Sequence, residues 1–273
     1  MLKIDENLKV LLSDIKNICE FLGFNVLVVG AGARILVFDT QYNVEGRATK
    51  DLDFAVQVND WSNFQSLSYQ ITEANNARFK KARVEHKFIH ISTNIEIDIV
   101  PFGVIGQPNQ VLEWTDGSQM SLLGLNEALS TAKIIDVDGI ELKVANPCAL
   151  LVLKFIAWND RQEIKDLEDI NFILKNYSDD DRILVELLDE INQGIVEYSS
   201  GAIFILAQDI CKTFSQSTIR KLQEILLRIL QNQDRLFSRL ISRLDAEEWD
   251  AQFDAIVCRF QILQKAIEYC SQV

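Results

Sequence analysis

The stretch Arg47-Ala-Thr-Lys-Asp51-Leu-Asp53-Phe-Ala-Val-Gln-Val58 constrains the fold of this chain more than any other. Read with a period of two, it puts Leu52, Phe54, Val56 and Val58 on one face and Asp51 and Asp53 on the other. Such a strand belongs in a sheet with one face against a core and one face wet. The two carboxylates then stand about 7 Å apart along the wet face, where they repel unless a cation or a proton lies between them. A divalent metal is the natural cation, so the chain is expected to be a metal-dependent enzyme.

A second stretch repeats the pattern. In Asn94-Ile-Glu-Ile-Asp98-Ile-Val100, Ile95, Ile97 and Ile99 share one face, and Glu96 and Asp98 share the other. Placed beside the first strand, Asp98 faces the same surface as Asp51 and Asp53. An Asp-x-Asp pair alone is often only a solvated face, and a third acid in matching phase argues for chemistry. Three carboxylates on two strands suit a two-metal site that orients a nucleoside triphosphate, activates a hydroxyl and stabilises pyrophosphate. Mg²⁺ fits, because it takes a few carboxylates together with phosphate oxygens. Asp98 is the acid best placed to accept the hydroxyl proton. Upstream, Gly30-Ala-Gly-Ala-Arg34 follows the β-branched run ending at Val29 and opens a short helix through Phe38. Backbone N–H groups at such a turn bind phosphate, and Gly allows close approach. The spacing matches neither GxGxxG nor the P-loop.

The remaining pattern divides the chain. Residues 5–22 read as a helix through Leu8, Leu11, Leu12, Ile15, Ile18 and Phe21, and a loop is expected over 39–50. Residues 60–75 read as a helix capped by Asn59 or Asp60. His86 to Ser92 and Asn94 to Val100 read as strands turning at Thr93-Asn94, and Asp138-Gly139 marks a hairpin between 134–137 and 140–144. From Asn146-Pro147, a cap and first-turn pair, apolar residues recur at helical spacing to residue 267. The expected architecture is α+β: a mixed sheet with flanking helices over 1–145, followed by a helical domain over 146–273.

Composition narrows the class. With 273 residues, 48% of them hydrophobic, the chain can bury a sizeable core. Its net charge of -13 argues against coating nucleic acid by bulk electrostatics, though not against a local basic groove. Five scattered Cys without a CxxC pair suggest neither a disulfide framework nor a zinc knuckle, and fit a reducing cytoplasm. The first residues do not resemble a signal peptide. The longest apolar run, 26–38, is broken by Arg34 and too short to span a membrane.

Four segments in order carry a family resemblance: Val29-Gly-Ala-Gly-Ala-Arg34; Arg47-Ala-Thr-Lys-Asp-Leu-Asp-Phe54; Ile97-Asp-Ile-Val-Pro-Phe-Gly103; and the run from Leu153 to Ile170 containing Lys154, Arg161, Lys165, Asp166 and Asp169. Together they cover roughly residues 25–175. The chain resembles the AbiEii-type nucleotidyltransferases within the DNA polymerase β-like superfamily. The resemblance implies a nucleotidyltransferase fold and two Mg²⁺ ions held by Asp51, Asp53 and Asp98. It implies triphosphate binding by the turn at Gly30, Ala31 and Arg34, by Thr49, and by Lys154, with Arg161 and Lys165 extending that basic strip. Family members usually carry Gly-Gly or Gly-Ser at the turn. Here Gly30-Ala31 offers no hydroxyl, and phosphate contact there rests on backbone donors. In one continuous helix, Lys154, Trp158, Arg161 and Lys165 would share a stripe. If Asn159-Asp160, with Glu163, starts a new helix, the stripe breaks, and Lys165 has an equally simple reading as surface charge pairing.

The implied activity is transfer of a nucleoside monophosphate from an NTP to a hydroxyl, with an RNA such as tRNA as acceptor and a cognate antitoxin as partner. A small-molecule acceptor, as in antibiotic-modifying relatives, is the enzymatic alternative. A nucleotide-binding module without turnover is the other. Three further features read most simply as structural. Arg228, Arg235, Arg239 and Arg243 form a wet helix face, with an RNA-contacting ridge as the alternative. His86 and His90 share a strand face without other zinc ligands. Trp61, Trp114, Trp158 and Trp249 are core or rim aromatics, with base stacking open for Trp114.

Overall fold

The computed structural model describes residues 6–42, 51–241 and 246–271; the side chains of 39–41, 51 and 246–247 also lie outside the description. Arg47, Thr49 and Arg243 therefore fall outside the described residues. The chain divides into two compact units, Met1–Asn146 and Pro147–Val273.

The first unit is built on a seven-stranded mixed sheet. Helix α1 (Glu6–Leu22) buries Leu11, Leu12, Ile15 and Cys19 on one stripe. Phe21, expected on that stripe, is 76% exposed, because it falls about 200° round the helix from Cys19. Strand β1 (Val26–Val29) runs straight into α2 (Gly30–Arg34), and the backbone stays helical through Ile35–Tyr42 in π geometry. The loop expected from residue 39 therefore does not begin before residue 43. Strand β2 (Asp51–Val58) leads to α3 (Trp61–Thr72), where the Asp60 side chain accepts a hydrogen bond from the Asn63 N–H at 2.9 Å. Asp60→Ala is expected to cost about 1 kcal/mol, read as a lower urea midpoint with activity retained.

Next come β3 (Phe79–Lys81), β4 (Lys87–His90) and β5 (Glu96–Gly103). A small separate hairpin of β6 (Val111–Glu113) and β7 (Gln119–Ser121) follows, then α4 (Leu125–Ser130). Strands β8 (Lys133–Val137) and β9 (Ile140–Val144) turn at Asp138 and Gly139, whose φ angles of 49° and 89° fit a tight primed turn. The sheet order is β3-β4-β5-β2-β1-β9-β8, with β2 parallel to β5, β1 parallel to β9 and the other neighbours antiparallel. Leu52, Phe54, Val56 and Val58 are all buried, as their alternation requires. The hairpin β6–β7 holds Trp114 inward: it is 5% exposed and packs edge-on against Trp61 and Phe64. Trp114 is thus a core aromatic and presents no face for base stacking.

The second unit is helical: α5 (Pro147–Arg161), α6 (Ile164–Asn176), α7 (Asp180–Glu186), α8 (Leu188–Asn192), α9 (Gly201–Thr213), α10 (Gln216–Gln231), α11 (Gln233–Phe237) and α12 (Ala246–Cys270). Its core gathers the apolar stripes of the longer helices, among them Phe155, Ile170, Leu206, Leu226 and Phe260. Arg182 ties α7 to α9 by pairing with both Glu186 and Asp209. Those hydrogen bonds, first from Asp209 and then from Glu186, hold its pKa above the ordinary arginine value.

Candidate active site

Sheet register assembles the acids. Asp53 of β2 lies opposite Asp98 of parallel β5, and Asp51 lies opposite Glu96. Residues paired across neighbouring strands point to the same face, so Asp53 and Asp98 share the wet side. The Asp51 backbone is in phase with them, and its side chain lies outside the described residues. On the other flank, β1 pairs antiparallel with β2 so that Val29 faces Asp53. The next residue, Gly30, therefore turns directly over the Asp53 carboxylate.

That contact explains the glycine. Gly30 has φ of +56°, and a Cβ built there would stand 2.6 Å from the Asp53 Cγ and overlap its carboxylate oxygen. The Ala31 N–H donates to Asp53 Oδ2 at 3.2 Å. The turn and the second acid thus form one unit, with the turn's first amide orienting the carboxylate. Gly30→Ala is expected to cost about 2 kcal/mol, from the left-handed backbone and the steric overlap together, and to abolish activity at the acidic row. Gly139→Ala is the control: φ there is +89° but nothing lies within 4 Å, so only the backbone share is lost. Urea midpoints of the two variants separate the terms. Arg34, at the end of the same turn, is buried at 2% exposure.

Lys87 completes the row. Antiparallel β4 sets it opposite Asp98, and its Nζ lies 2.7 Å from Asp98 Oδ1 and 2.8 Å from Glu96 Oε1. Burial works against its charge, but hydrogen bonds and attraction from Asp98 and Glu96 outweigh burial and hold its pKa above the ordinary lysine value. A turn centred on Thr93-Asn94 would instead set Ile89 opposite Asp98. The observed turn is wider, spanning 91–95 with Asn94 at φ 57°, and it shifts the register to bring Lys87 in.

The two histidines do not meet. His90 is buried and bonded to Asp14 at 3.0 Å and Thr93 at 2.8 Å. His86 packs on Trp114 with ring centroids 4.8 Å apart. Burial first, and then the Lys87 charge, lower its pKa against the pull of Glu85, Asp116 and Asp53, so the ring is neutral at pH 7.

In the helical unit a second charged cluster forms at the break between α5 and α6. The chain leaves α5 through Gln162, at φ 52°, and Glu163 stands at the start of α6. Of the two sequence alternatives, the broken stripe is the one observed, with the break at Gln162 rather than Asn159-Asp160. It lets Arg161 fold back on Asp166, donating from Nε at 2.7 Å and Nη2 at 2.6 Å. Lys154, buried amid apolar neighbours, reaches Asp169 at 2.7 Å and Asp166 at 3.5 Å. Lys154 is thus doubly paired rather than a lone amine. Lys165 stands apart, half-buried and paired with Glu163 at 2.7 Å, which is the simple reading of that residue. The arginine ridge is likewise interrupted: Arg228 lies 5.2 Å over the Trp158 ring and donates to Asn159, while Arg235 and Arg239 are exposed.

Comparison with known proteins places this arrangement. Residues 38–258 match the family model for the nucleotidyl transferase AbiEii toxin of the type IV toxin–antitoxin system. The chain belongs to the AbiEii nucleotidyltransferase family. The matched span takes in Asp51, Asp53, Asp98 and Lys154, and membership makes the chain a nucleotidyltransferase. Among solved structures, the chain is similar to an antigenic nucleotidyltransferase-like protein from Paracoccidioides brasiliensis, at 15% identity and TM-score 0.48, over 89% of this chain and 96% of that one. It is also similar to a nucleotidyltransferase from H. pylori at 12% identity and TM-score 0.37, over 97% and 98% of the two chains. A third similarity is to the antibiotic-resistance factor ANT(2'')-Ia, at 11% identity and TM-score 0.38, over 64% and 86%. No curated protein sequence matches this chain. Among the described residues no helix is long and apolar enough to cross a membrane, and no three metal-ligating side chains cluster.

Proposed function

We propose that this family member transfers a nucleoside monophosphate from an NTP to a hydroxyl of an RNA acceptor, in a Mg²⁺-dependent reaction, as the toxin of a toxin–antitoxin pair. One observation carries the reading: Asp53 and Asp98 stand in register on adjacent strands, with the Gly30 turn closed onto Asp53. Two carboxylates on neighbouring strands, with Asp51 one pleat along, are a donor set of hard oxygens that suits Mg²⁺. Asp51, Asp53 and Asp98 would hold it; when bound, the metal supplies positive charge to the triphosphate and the leaving pyrophosphate.

The chain's own groups divide the remaining work. The acceptor oxygen forms a bond to the α-phosphorus as the bond from that phosphorus to the α–β bridging oxygen breaks, and pyrophosphate leaves with the electron pair. Asp98, whose Oδ1 lies 2.7 Å from the Lys87 ammonium, accepts the hydroxyl proton. The Ala31 amide fixes the Asp53 carboxylate. Gly30, the Ala31 backbone and Thr49 serve the phosphates in the first unit; Arg34, buried at 2% exposure, offers them no surface. In the helical unit Lys154, oriented by Asp166 and Asp169, and Arg161, held in place by the same Asp166, keep the nucleotide-binding roles that the family resemblance gives them.

The test is incubation with each labelled NTP, Mg²⁺ and total RNA. A labelled RNA band is the expected product. Label confined to small hydroxyl compounds would overturn the RNA acceptor and leave the nucleotidyl transfer intact. Growth arrest on expression, relieved by co-expressing the neighbouring gene, checks the toxin role.

A further inference from the structure

The helical unit holds a groove of about 600 Å³, bordered by the end of α6, the segment 195–204 and one face of α12. That volume falls within the range of small-molecule sites. Helix α12 is two-sided here. Ile256, Phe260, Leu263 and Ile267 are buried in the core, whereas Ala255, Cys258, Arg259, Ile262 and Lys265 line the groove at three- and four-residue spacing. The groove floor is apolar, with Ile195 (47% exposed), Ile203 and Ile262.

Its charged lining is unlike the rest of the molecule. In a chain of net charge -13, Lys175, Arg259 and Lys265 face this one groove, against a single lining carboxylate, Glu197. Among the described residues none of the three cations makes an ion pair. Arg259 is half-buried, and only its Nε is engaged, donating to Asn171 Oδ1 at 3.0 Å. Burial lowers its pKa, the signature of a cation held without a counter-ion. A guanidinium fixed by its Nε presents its remaining N–H groups as a planar fork suited to carboxylate, sulfonate or phosphate oxygens.

We propose that this groove is a binding site for a small organic anion with an apolar body. The acidic head pairs with Arg259, flanked by Lys175 and Lys265, and the apolar body lies on Ile195, Ile203 and Ile262. Phe204 and Tyr177, which also border the groove, are only 7% exposed. They offer no open ring to a stacked base, so the apolar-bodied anion is favoured over a nucleic-acid strand.

Anilinonaphthalene sulfonate, an anion on an aromatic body, is the probe, used with the whole 273-residue chain. Cys258 reports the location, because it is exposed in the groove while Cys19 and Cys148 are buried. Expected are saturable fluorescence and slower iodoacetamide alkylation of Cys258, resolved by peptide mass mapping. Both effects should need about tenfold more probe in Arg259→Gln and in Lys265→Gln. The uncharged phenylnaphthylamine should protect Cys258 less. Lys265 is exposed, so its substitution keeps the test valid should Arg259→Gln unfold. Unchanged affinity in both variants, or alkylation of Cys258 unaffected by bound probe, would overturn the site. Protection of Cys258 by an RNA oligonucleotide but not by the probe would overturn it in favour of a phosphate-backbone groove.

Discussion

Asp53→Asn is expected to reduce nucleotide transfer by about 10³-fold or more, a barrier increase of about 4 kcal/mol, while the protein stays folded. The substitution keeps the side chain's shape and leaves an oxygen to accept the Ala31 N–H, the 3.2 Å contact that orients the carboxylate. It removes the charge, and so the ability to hold a divalent cation beside Asp98. Asp53 sits centrally in the sheet order, between β1 and β5, so neither neighbour has room to reposition. Label transfer under single-turnover conditions measures the loss, and an unchanged circular dichroism spectrum assigns it to chemistry. Residual activity above one-tenth of wild type would remove Asp53 from the reaction.

Asp166→Ala is expected to destabilise the helical unit by about 3 kcal/mol. Asp166 is fully buried, and three donors converge on it: two from Arg161 and one from Lys154. Removing it leaves Lys154 to Asp169 and takes from Arg161 the acceptor of two hydrogen bonds. The expected cost lies at the low end for a broken buried pair because Arg161 is 43% exposed and turns to water, whereas Lys154 is held at 10%. Urea unfolding followed by helical circular dichroism measures the loss. Asp166→Asn keeps one acceptor oxygen but turns an amide donor toward the other Arg161 N–H, and should recover less than half of it. Equal midpoints for the alanine variant and wild type would show that the cluster contributes nothing to stability.

The sequence carried the acidic row through parity alone. Asp51, Asp53, Glu96 and Asp98 alternate against Leu52, Phe54, Ile97 and Ile99, and any register that buries the apolar set gathers the acids on the other face. Asp138-Gly139 was readable for a similar reason, since few residue pairs tolerate two positive φ angles. What escaped the sequence depended on a single residue's offset. Lys87 meets Asp98 only because the turn at 91–95 is wider than two residues. Strands β3, β6 and β7 have three residues each, too few for any period to show. The meeting of Lys154 and Arg161 at Asp166 required a left-handed Gln162, a conformation that its residue type does not announce. Arg228 stacks on Trp158 from a distant helix, a contact that helical spacing assigned to solvent.

The outer strands of the sheet bear on how the protein behaves when crowded. A sheet margin with free backbone groups invites a strand from another chain, the shortest route to fibrous or amorphous clumping. Here one margin, β3, is three residues long and exposes Lys80 and Lys81; the other, β8, exposes Lys133 and Asp136. An incoming strand would have to desolvate a charge at either side. Charge on both outer strands thus works against growth of the sheet that gathers the acids, even beside the exposed Ile134 of β8.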